Sequence, residues 1–289
     1  MLLRKIKSIV IFFNGERGIA VYNKLIKKYK ISLIFTNSKK IKKKFKNKKI
    51  IYSKNLNDEK FYRLLKKENA DLFISAGFSS IFKKKLLELP KYGVINLHAG
   101  PVPKYRGGSP LNWQLINNEK NITVSILEMN EGIDTGPIIE VKKFPIKKNY
   151  DIKKLHLIVN KIFPSLVLKS IAKIEKNKKF NLQPKNNNSY WKQRKEEDGK
   201  IFFNKFSGFI ISRYIRALTK PYPGAWALLN GKKIIFYEAK LINKKINGSF
   251  GSIVTIKDRI YLKCRLINLH ILKYKLIGKK IKNFNHQLI

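Results

Sequence analysis

The chain has 289 residues, 44% hydrophobic and 12% aromatic, enough to bury a sizeable core in one large domain or two modest ones and too apolar for a disordered chain. Its formal charge is +45, yet 54 of the 63 basic residues are lysines, spread along the whole chain beside abundant Ile and Asn, which discounts a dedicated nucleic-acid surface, where the planar fork of Arg is preferred. A single cysteine, Cys264, and four histidines scattered at 98, 156, 270 and 286 exclude a disulfide framework and a zinc cluster, so no metal is expected.

The opening "MLLRKIKSIVIFF" has an apolar core too short for a membrane span and no small-residue cleavage site. Residues 6–13 are predicted as a first buried strand, "NGERG" as a turn and 19–29 as a helix with apolar positions three and four apart. A strand follows over 31–37. The run "KKIKKKFKNKK" at 39–49 reads as a solvated loop, with a binding patch as the alternative. Further along come a strand over 50–54, a helix over 58–69, a strand over 70–78, a helix over 79–89 and the strand "GVINLHA" over 93–99. Such alternation implies right-handed crossovers and an α/β fold with a mostly parallel sheet and helices on both faces.

Strands are next expected over 122–129 and 136–146, separated by the loop "NEGIDT", and then a helix from Asp151 to about Glu175. The stretch 177–200 is rich in Asn and Lys and weakly patterned. A catalytic domain over 1–180, a linker over 181–204 and a carboxy-terminal domain over 205–289 are the expected division. Within the last part a helix over 206–219 precedes strands at 232–242, 251–256, 259–265 and 269–277, the pattern of a small barrel-like β-domain. No later apolar run reaches the roughly 18 residues of a spanning helix, so a cytoplasmic protein without membrane insertion is expected. The apolar strands of the carboxy-terminal part offer a surface for pairing two copies as a homodimer.

The segment "NLHAGPVPKYRGGSP" at 96–110 carries the densest chemistry. Ligands of a parallel sheet bind beyond the carboxyl ends of its strands, and alternation places Asn96 and His98 on one face there, with Leu97 pointing away. The prolines and glycines that follow make a rigid, irregular loop able to carry Arg106 inward. Asp134 stands in a Gly-flanked loop between two apolar strands, an ordinary turn residue by itself. Brought near His98 it would orient the imidazole and raise its basicity, while Asn96 would donate to an oxyanion. That trio suits acyl-type transfer to an amine without a covalent Ser or Cys.

These residues resemble the folate-dependent formyltransferases. The Asn-x-His strand end, the Pro-x-Tyr-Arg-Gly loop and the Asp-x-Gly loop of that family are matched by Asn96, His98, Pro103, Tyr105, Arg106, Gly107, Asp134 and Gly136. The resemblance extends over nearly the whole chain and implies a Rossmann-like catalytic domain, a small carboxy-terminal β-barrel-like domain, and 10-formyltetrahydrofolate as the formyl-donor cosubstrate. By it, Asn96 would bind the formyl oxygen, His98 would act as base or electrostatic stabiliser, and Asp134 would hold His98 and manage the amine proton. The pterin would lie against backbone groups of Phe78, Ser79 and Ile81 and the loop carrying Asp134. One departure is visible, Gly100-Pro101-Val102-Pro103 where members acting on methionyl-tRNA usually have Ser-Leu-Leu-Pro. The final "LHILKYKLIGKK" is similar to the last strand of the family's smaller domain.

Two acceptors divide the family, methionyl-tRNA and nucleotide-linked amino sugars. The sugar is favoured because "YWKQRKEEDGKI" (190–201), "SPLNW" (109–113) and "PYPGAW" (221–226) are similar to that branch, which implies surface-glycan (lipopolysaccharide) synthesis. The lysine run at 39–49 occupies the place of a basic loop in the tRNA enzymes and keeps tRNA as the alternative partner. A basic binding module without turnover is a third reading.

Overall fold

Short, almost fully apolar runs become central strands because both faces of a parallel sheet are covered by helices. The computed structural model describes residues 5–45, 50–186, 188–277 and 285–287. In chain order its first elements are β1 (Ser8–Phe13), α1 (Glu16–Leu25), β2 (Lys30–Thr36), α2 (Lys39–Lys44), β3 (Ile50–Tyr52), α3 (Glu59–Glu68), β4 (Leu72–Ala76), α4 (Lys84–Leu87) and β5 (Val94–His98). Then come β6 (Arg106–Gly107), α5 (Pro110–Ile116), β7 (Asn121–Glu128), β8 (Ile138–Pro145), α6 (Ile152–Glu175) and β9 (Tyr190–Trp191). Sheet order is β3-β2-β1-β4-β5-β7-β8, the first five parallel and the last two antiparallel, so the mostly parallel α/β expectation holds. Two compact units result, one of Met1–Pro110, Asn121–Pro145 and Leu157–Trp191, the other of Leu111–Lys120, Ile146–His156 and Lys192–Ile289.

One face of the first sheet packs Val10, Phe12, Leu33, Phe35 and Phe73 against Phe61 and Leu65 of α3 and Leu86 of α4. On the other face α1 lies so close that a side chain on Gly18 would meet Phe13 at 2.0 Å. α6 is the described helix long and apolar enough, by length and composition, to cross a membrane. Its Val159, Phe163, Val167 and Ile171 are all buried within the fold.

Local departures from the sequence expectation have identifiable causes. α1 begins at Glu16, inside the expected turn, because Gly15 is extended at the N-cap and Glu16 complements the positive end of the helix. The helix expected over 79–89 shrinks to Lys84–Leu87. Asn57 holds the preceding residues out of it, donating to the Ile81 carbonyl at 2.9 Å and accepting from the Lys83 amide at 3.1 Å. The lysine run begins as the short helix α2, capped by Ser38, and residues 46–49 lie outside the described residues. The expected linker is paired backbone on both halves. Asn181 accepts from the Ile138 amide and β9 pairs with β6, while Trp226 donates its indole N–H to Glu196 and accepts from the Ile201 amide.

In the second unit α7 (Gly208–Leu218), capped by Ser207, buries Ile211, Ile215 and Leu218 at helical spacing. The strands β10 (Ala225–Leu229), β11 (Lys232–Ile242), β12 (Ser252–Ile256), β13 (Arg259–Leu262), β14 (Asn268–Leu276) and β15 (Asn285–Gln287) form an antiparallel half-barrel sheet in the order β10-β11-β14-β13-β12-β15. β10 was not among the predicted strands. It pairs with β11 across Asn230 and Gly231, both at positive φ, the Asn-Gly signature of a tight hairpin. The stretch 269–280 is not the last strand either, since β15 follows and pairs with β12; residues 278–280 lie outside the described residues.

Burial pushes the Cys264 thiol up to about 12, against a small opposing pull from Lys263. At pH 8 the thiolate is then scarce by roughly three orders of magnitude relative to a free cysteine. Native protein is expected to react with an aromatic disulfide reagent at least ~10²-fold more slowly than urea-unfolded protein. Equal rates in the two states would show that Cys264 is accessible.

Candidate active site

Three polar groups meet at the carboxyl end of β5. Asn96 and His98 share one face of the strand, and Leu97, at 2% exposure, faces the core. Asp134 arrives from the loop between β7 and β8, held at φ +53°, a conformation Asp tolerates better than most residues. Gly136 permits that loop, since a Cβ there would lie 1.8 Å from the Glu128 carbonyl oxygen. The Asn96 carboxamide donates to Asp134 Oδ1 at 2.9 Å, and Asp134 Oδ2 lies 3.2 Å from His98 Nδ1. The sequence-predicted trio is therefore assembled around one carboxylate.

The far side of His98 is closed by its own loop. Nε2 lies 2.6 Å from the Tyr105 carbonyl, so both ring nitrogens face acceptors. Burial pushes the imidazole below its ordinary 6.5, the Asp134 carboxylate and the Tyr105 carbonyl push it back up, and the charge of Arg17 adds a downward push. The net direction is down, which leaves the ring neutral at pH 7. A neutral ring can donate to one of its two acceptors; a ring that has gained a proton satisfies both. Such a pair is built to take up a proton and hold it, while the second N–H of Asn96 is a donor suited to a developing oxyanion.

Loop 99–108 is sterically determined. A side chain on Gly100 would meet Pro110 at 2.8 Å and both His98 Nε2 and Tyr105 at 3.0 Å, so the serine of the Ser-Leu-Leu-Pro pattern has no room here. Gly107 sits at φ +89°, where a Cβ would be 2.4 Å from the Trp191 carbonyl, and its amide donates to Asp134 Oδ2 at 2.9 Å. Substituting Gly107→Ala is expected to cost about 1–3 kcal/mol of stability, read as a lower urea midpoint, because both the conformation and the close approach are refused. An unchanged midpoint would mean the loop is freely deformable.

The residues predicted for the pterin lie on the neighbouring loop. β4 pairs with β5 in parallel, with Ser75 opposite Asn96, so Phe78, Ser79 and Ile81 leave the sheet at the same end as the trio. Phe78 stacks its edge among Phe12 and Phe82. Ser79 Oγ accepts from Asn37 at 2.9 Å and Asn14 at 3.3 Å, tying together the loops after β1, β2 and β4. Ile81 is 63% exposed. Sequence reasoning assigned no role to the Tyr105 carbonyl, the Gly107 amide, or Arg17, whose guanidinium lies 4.9 Å from the Phe163 ring centre. Backbone groups carry no residue signature, and an Arg-Gly pair after a strand is too common to single out Arg17.

Comparison with known proteins identifies the family. The profile of the family described as formyl transferase matches residues 10–169, and that of formyl transferase, C-terminal domain, matches 194–287. The bifunctional polymyxin resistance protein ArnA of Wigglesworthia glossinidia brevipalpis is 33% identical over 282 residues, covering 88% of this chain and 42% of that protein. The methionyl-tRNA formyltransferase of Syntrophus aciditrophicus is 34% identical over 205 residues, 71% of this chain and 65% of that one. The chain thus spans less than two thirds of the length of either relative. Among solved structures, WlaRD, a sugar 3N-formyl transferase, has the same fold at a TM-score of 0.67 and 21% identity, covering 96% of this chain and all of that one.

Proposed function

This chain belongs to the formyl transferase family, and we propose that it moves the formyl group of 10-formyltetrahydrofolate onto the primary amine of a nucleotide-linked amino sugar. The observation that carries the chemistry is the contact of Asn96 and His98 with opposite oxygens of Asp134 at a strand end. The amine lone pair attacks the formyl carbon, Asn96 donates to the oxyanion that forms, and the His98–Asp134 pair takes the proton released by the amine. Collapse of the intermediate breaks the bond to the folate nitrogen, and the pair returns the proton there. The loop of Phe78, Ser79 and Ile81 and that of Asp134 hold the pterin in this reading. Reaction in solution and supply to surface-glycan synthesis follow as part of the same proposal.

The sugar acceptor rests on three stretches that resemble the sugar branch, whose residues 111–113, 192–201 and 221–226 lie in the second unit. Arg194 lies 4.5 Å over Trp113, and Trp226 donates to the Glu196 carbonyl at 3.0 Å. Gly199 has no space for a side chain, which would meet the Gly224 carbonyl at 2.7 Å. Methionyl-tRNA is the second reading, supported by the Syntrophus relative at 34% identity. The lysine run supports it less, because Lys42 donates to the Ile50 carbonyl at 2.6 Å and Lys44 pairs with Glu16 at 2.7 Å. The test is a formylation assay with 10-formyltetrahydrofolate, offering nucleotide-linked 3-amino and 4-amino sugars beside initiator methionyl-tRNA. Formylation of a sugar is the expected result; formylation of the tRNA alone would overturn the acceptor, and of neither acceptor class the activity.

A further inference from the structure

Asp134 and Tyr105 sit on two irregular loops that leave different strands, and neither loop is fixed to the other by regular backbone pairing. Yet the site needs the Asp134 carboxylate and the Tyr105 carbonyl placed on opposite sides of one imidazole, at 3.2 and 2.6 Å. Beside the bond from the Gly107 amide to Asp134 Oδ2, the side chain of Gln183 bridges them. Its Oε1 accepts from Arg106 Nε at 3.0 Å and Nη2 at 2.7 Å, and its Nε2 donates to the carbonyls of Asp134 at 2.8 Å and Gly136 at 2.7 Å. Two lone pairs and two N–H groups are the whole capacity of a carboxamide, and all four are used. The orientation is also settled chemically. Exchanging its oxygen and nitrogen would set N–H against a guanidinium and oxygen against two carbonyls.

The chain around Gln183 grips the first loop along its length. Ser189 donates its amide to the Pro103 carbonyl, and its carbonyl accepts from the Arg106 amide. Trp191 accepts from the Gly108 amide at 2.7 Å, donates its indole N–H to the Lys104 carbonyl at 3.0 Å and stacks on Tyr105 with ring centres 5.6 Å apart. β9 thereby adds to β6, with Arg106 opposite Tyr190 and Gly107 opposite Trp191. We propose that residues 181–186 and 188–191 act as a strap that sets the geometry of the catalytic trio, with Gln183 as the positioning residue that locks the Asp134 loop to the Arg106 loop. The inference rests on the formyl-transfer reading of the trio. It places the segment that composition marks as a linker in the service of catalysis.

The test compares wild type with Gln183→Leu, Gln183→Glu and the exposed-site control Lys179→Ala, which lies outside the strap. Gln183→Leu deletes all four bonds and is expected to lower kcat about 10- to 100-fold while KM for either substrate changes less than about threefold, because misplacement of reacting groups acts on the transition state. Gln183→Glu keeps the Arg106 fork but turns an oxygen toward the two carbonyls. It is expected to lose as much, which separates locking of Asp134 from mere anchoring of Arg106. The control should match wild type. His98 ring titration followed by NMR without substrates reads the same geometry independently of turnover, and in Gln183→Leu, which adds no charge, its midpoint should fall as the Asp134 carboxylate drifts away. A Gln183→Leu kcat within twofold of wild type with an unchanged His98 titration would overturn the proposal, as would a loss of rate matched by loss of folded protein. Should the leucine variant fail to fold, the glutamate variant decides by kcat against KM, and a kcat within twofold of wild type would overturn the proposal. If wild type formylates nothing while Gln183→Leu shows the expected shift in His98, the functional reading falls and the strap stands.

Discussion

Replacing Asp134 with asparagine is expected to lower kcat by about 10³- to 10⁴-fold in a protein that still folds, the scale seen when a carboxylate that orients a catalytic imidazole becomes an amide. The carboxylate accepts on both oxygens, Oδ1 from Asn96 and Oδ2 from the Gly107 amide, with His98 Nδ1 on the Oδ2 side. An asparagine converts one of those oxygens into an NH₂ group. If the NH₂ takes the Oδ1 position it faces the donor of Asn96; in the Oδ2 position it faces the amide of Gly107. Either way donor meets donor in a site only 10% exposed at Asp134, where water cannot readily repair the mismatch. The proton sink is lost at the same time. Steady-state kinetics with circular dichroism as a folding control decides the matter, and a variant within tenfold of wild type would remove Asp134 from the mechanism.

His98→Ala is expected to cost about 10²- to 10⁴-fold in turnover, the range for loss of a positioned acid–base group. The pH dependence gives a second, sharper reading. Burial first, opposed by Asp134 and the Tyr105 carbonyl, holds the folded-state imidazole below 6.5. The active neutral ring therefore prevails at neutral pH, and the wild-type rate should fall only on the acid side, below pH 6.5. Stability moves in the same direction. A ring with a depressed folded value binds protons more readily when unfolded, so its contribution is complete above pH 6.5 and is lost as pH drops through the folded value. The alanine variant should lose that acid limb from its residual rate. Full activity in the variant, or a wild-type limb centred above pH 7, would contradict the role assigned to His98.

Much of the site could be read before folding because its residues obey local rules. Asn96 and His98 are two apart on a strand, and the pleat alone puts them on one face. Asp134 reads by itself as an ordinary turn residue, and it is the resemblance of the Asp-x-Gly loop that picks it out. The contact between them could not be read, since antiparallel pairing sets the end of β7 beside the start of β5, with Glu128 opposite Ile95, and the Asp134 loop must fold back toward His98, a long-range course with no local signature. Gln183 shows the same limit more strongly. It sits in an Asn- and Lys-rich stretch whose composition says linker, and only three-dimensional neighbours turn its amide into a four-bond brace. The shortened α4 is a tertiary override, with Asn57 competing for the backbone groups a helix would use. The missed β10 is different, because the Asn230-Gly231 turn between two apolar runs was a local signal that could have been used.

The sequence by itself determined the α/β class, the order of the elements and the chemical identity of the trio, because hydrophobic period, turn residues and strand alternation act over a few residues at a time. Only the tertiary structure decided which oxygen of Asp134 meets which partner, that both nitrogens of His98 face acceptors, and that backbone of the stretch after α6 pairs with β6. Those are contacts between groups 7 or more positions apart in the chain, closed by loops whose course is set by packing rather than by propensity.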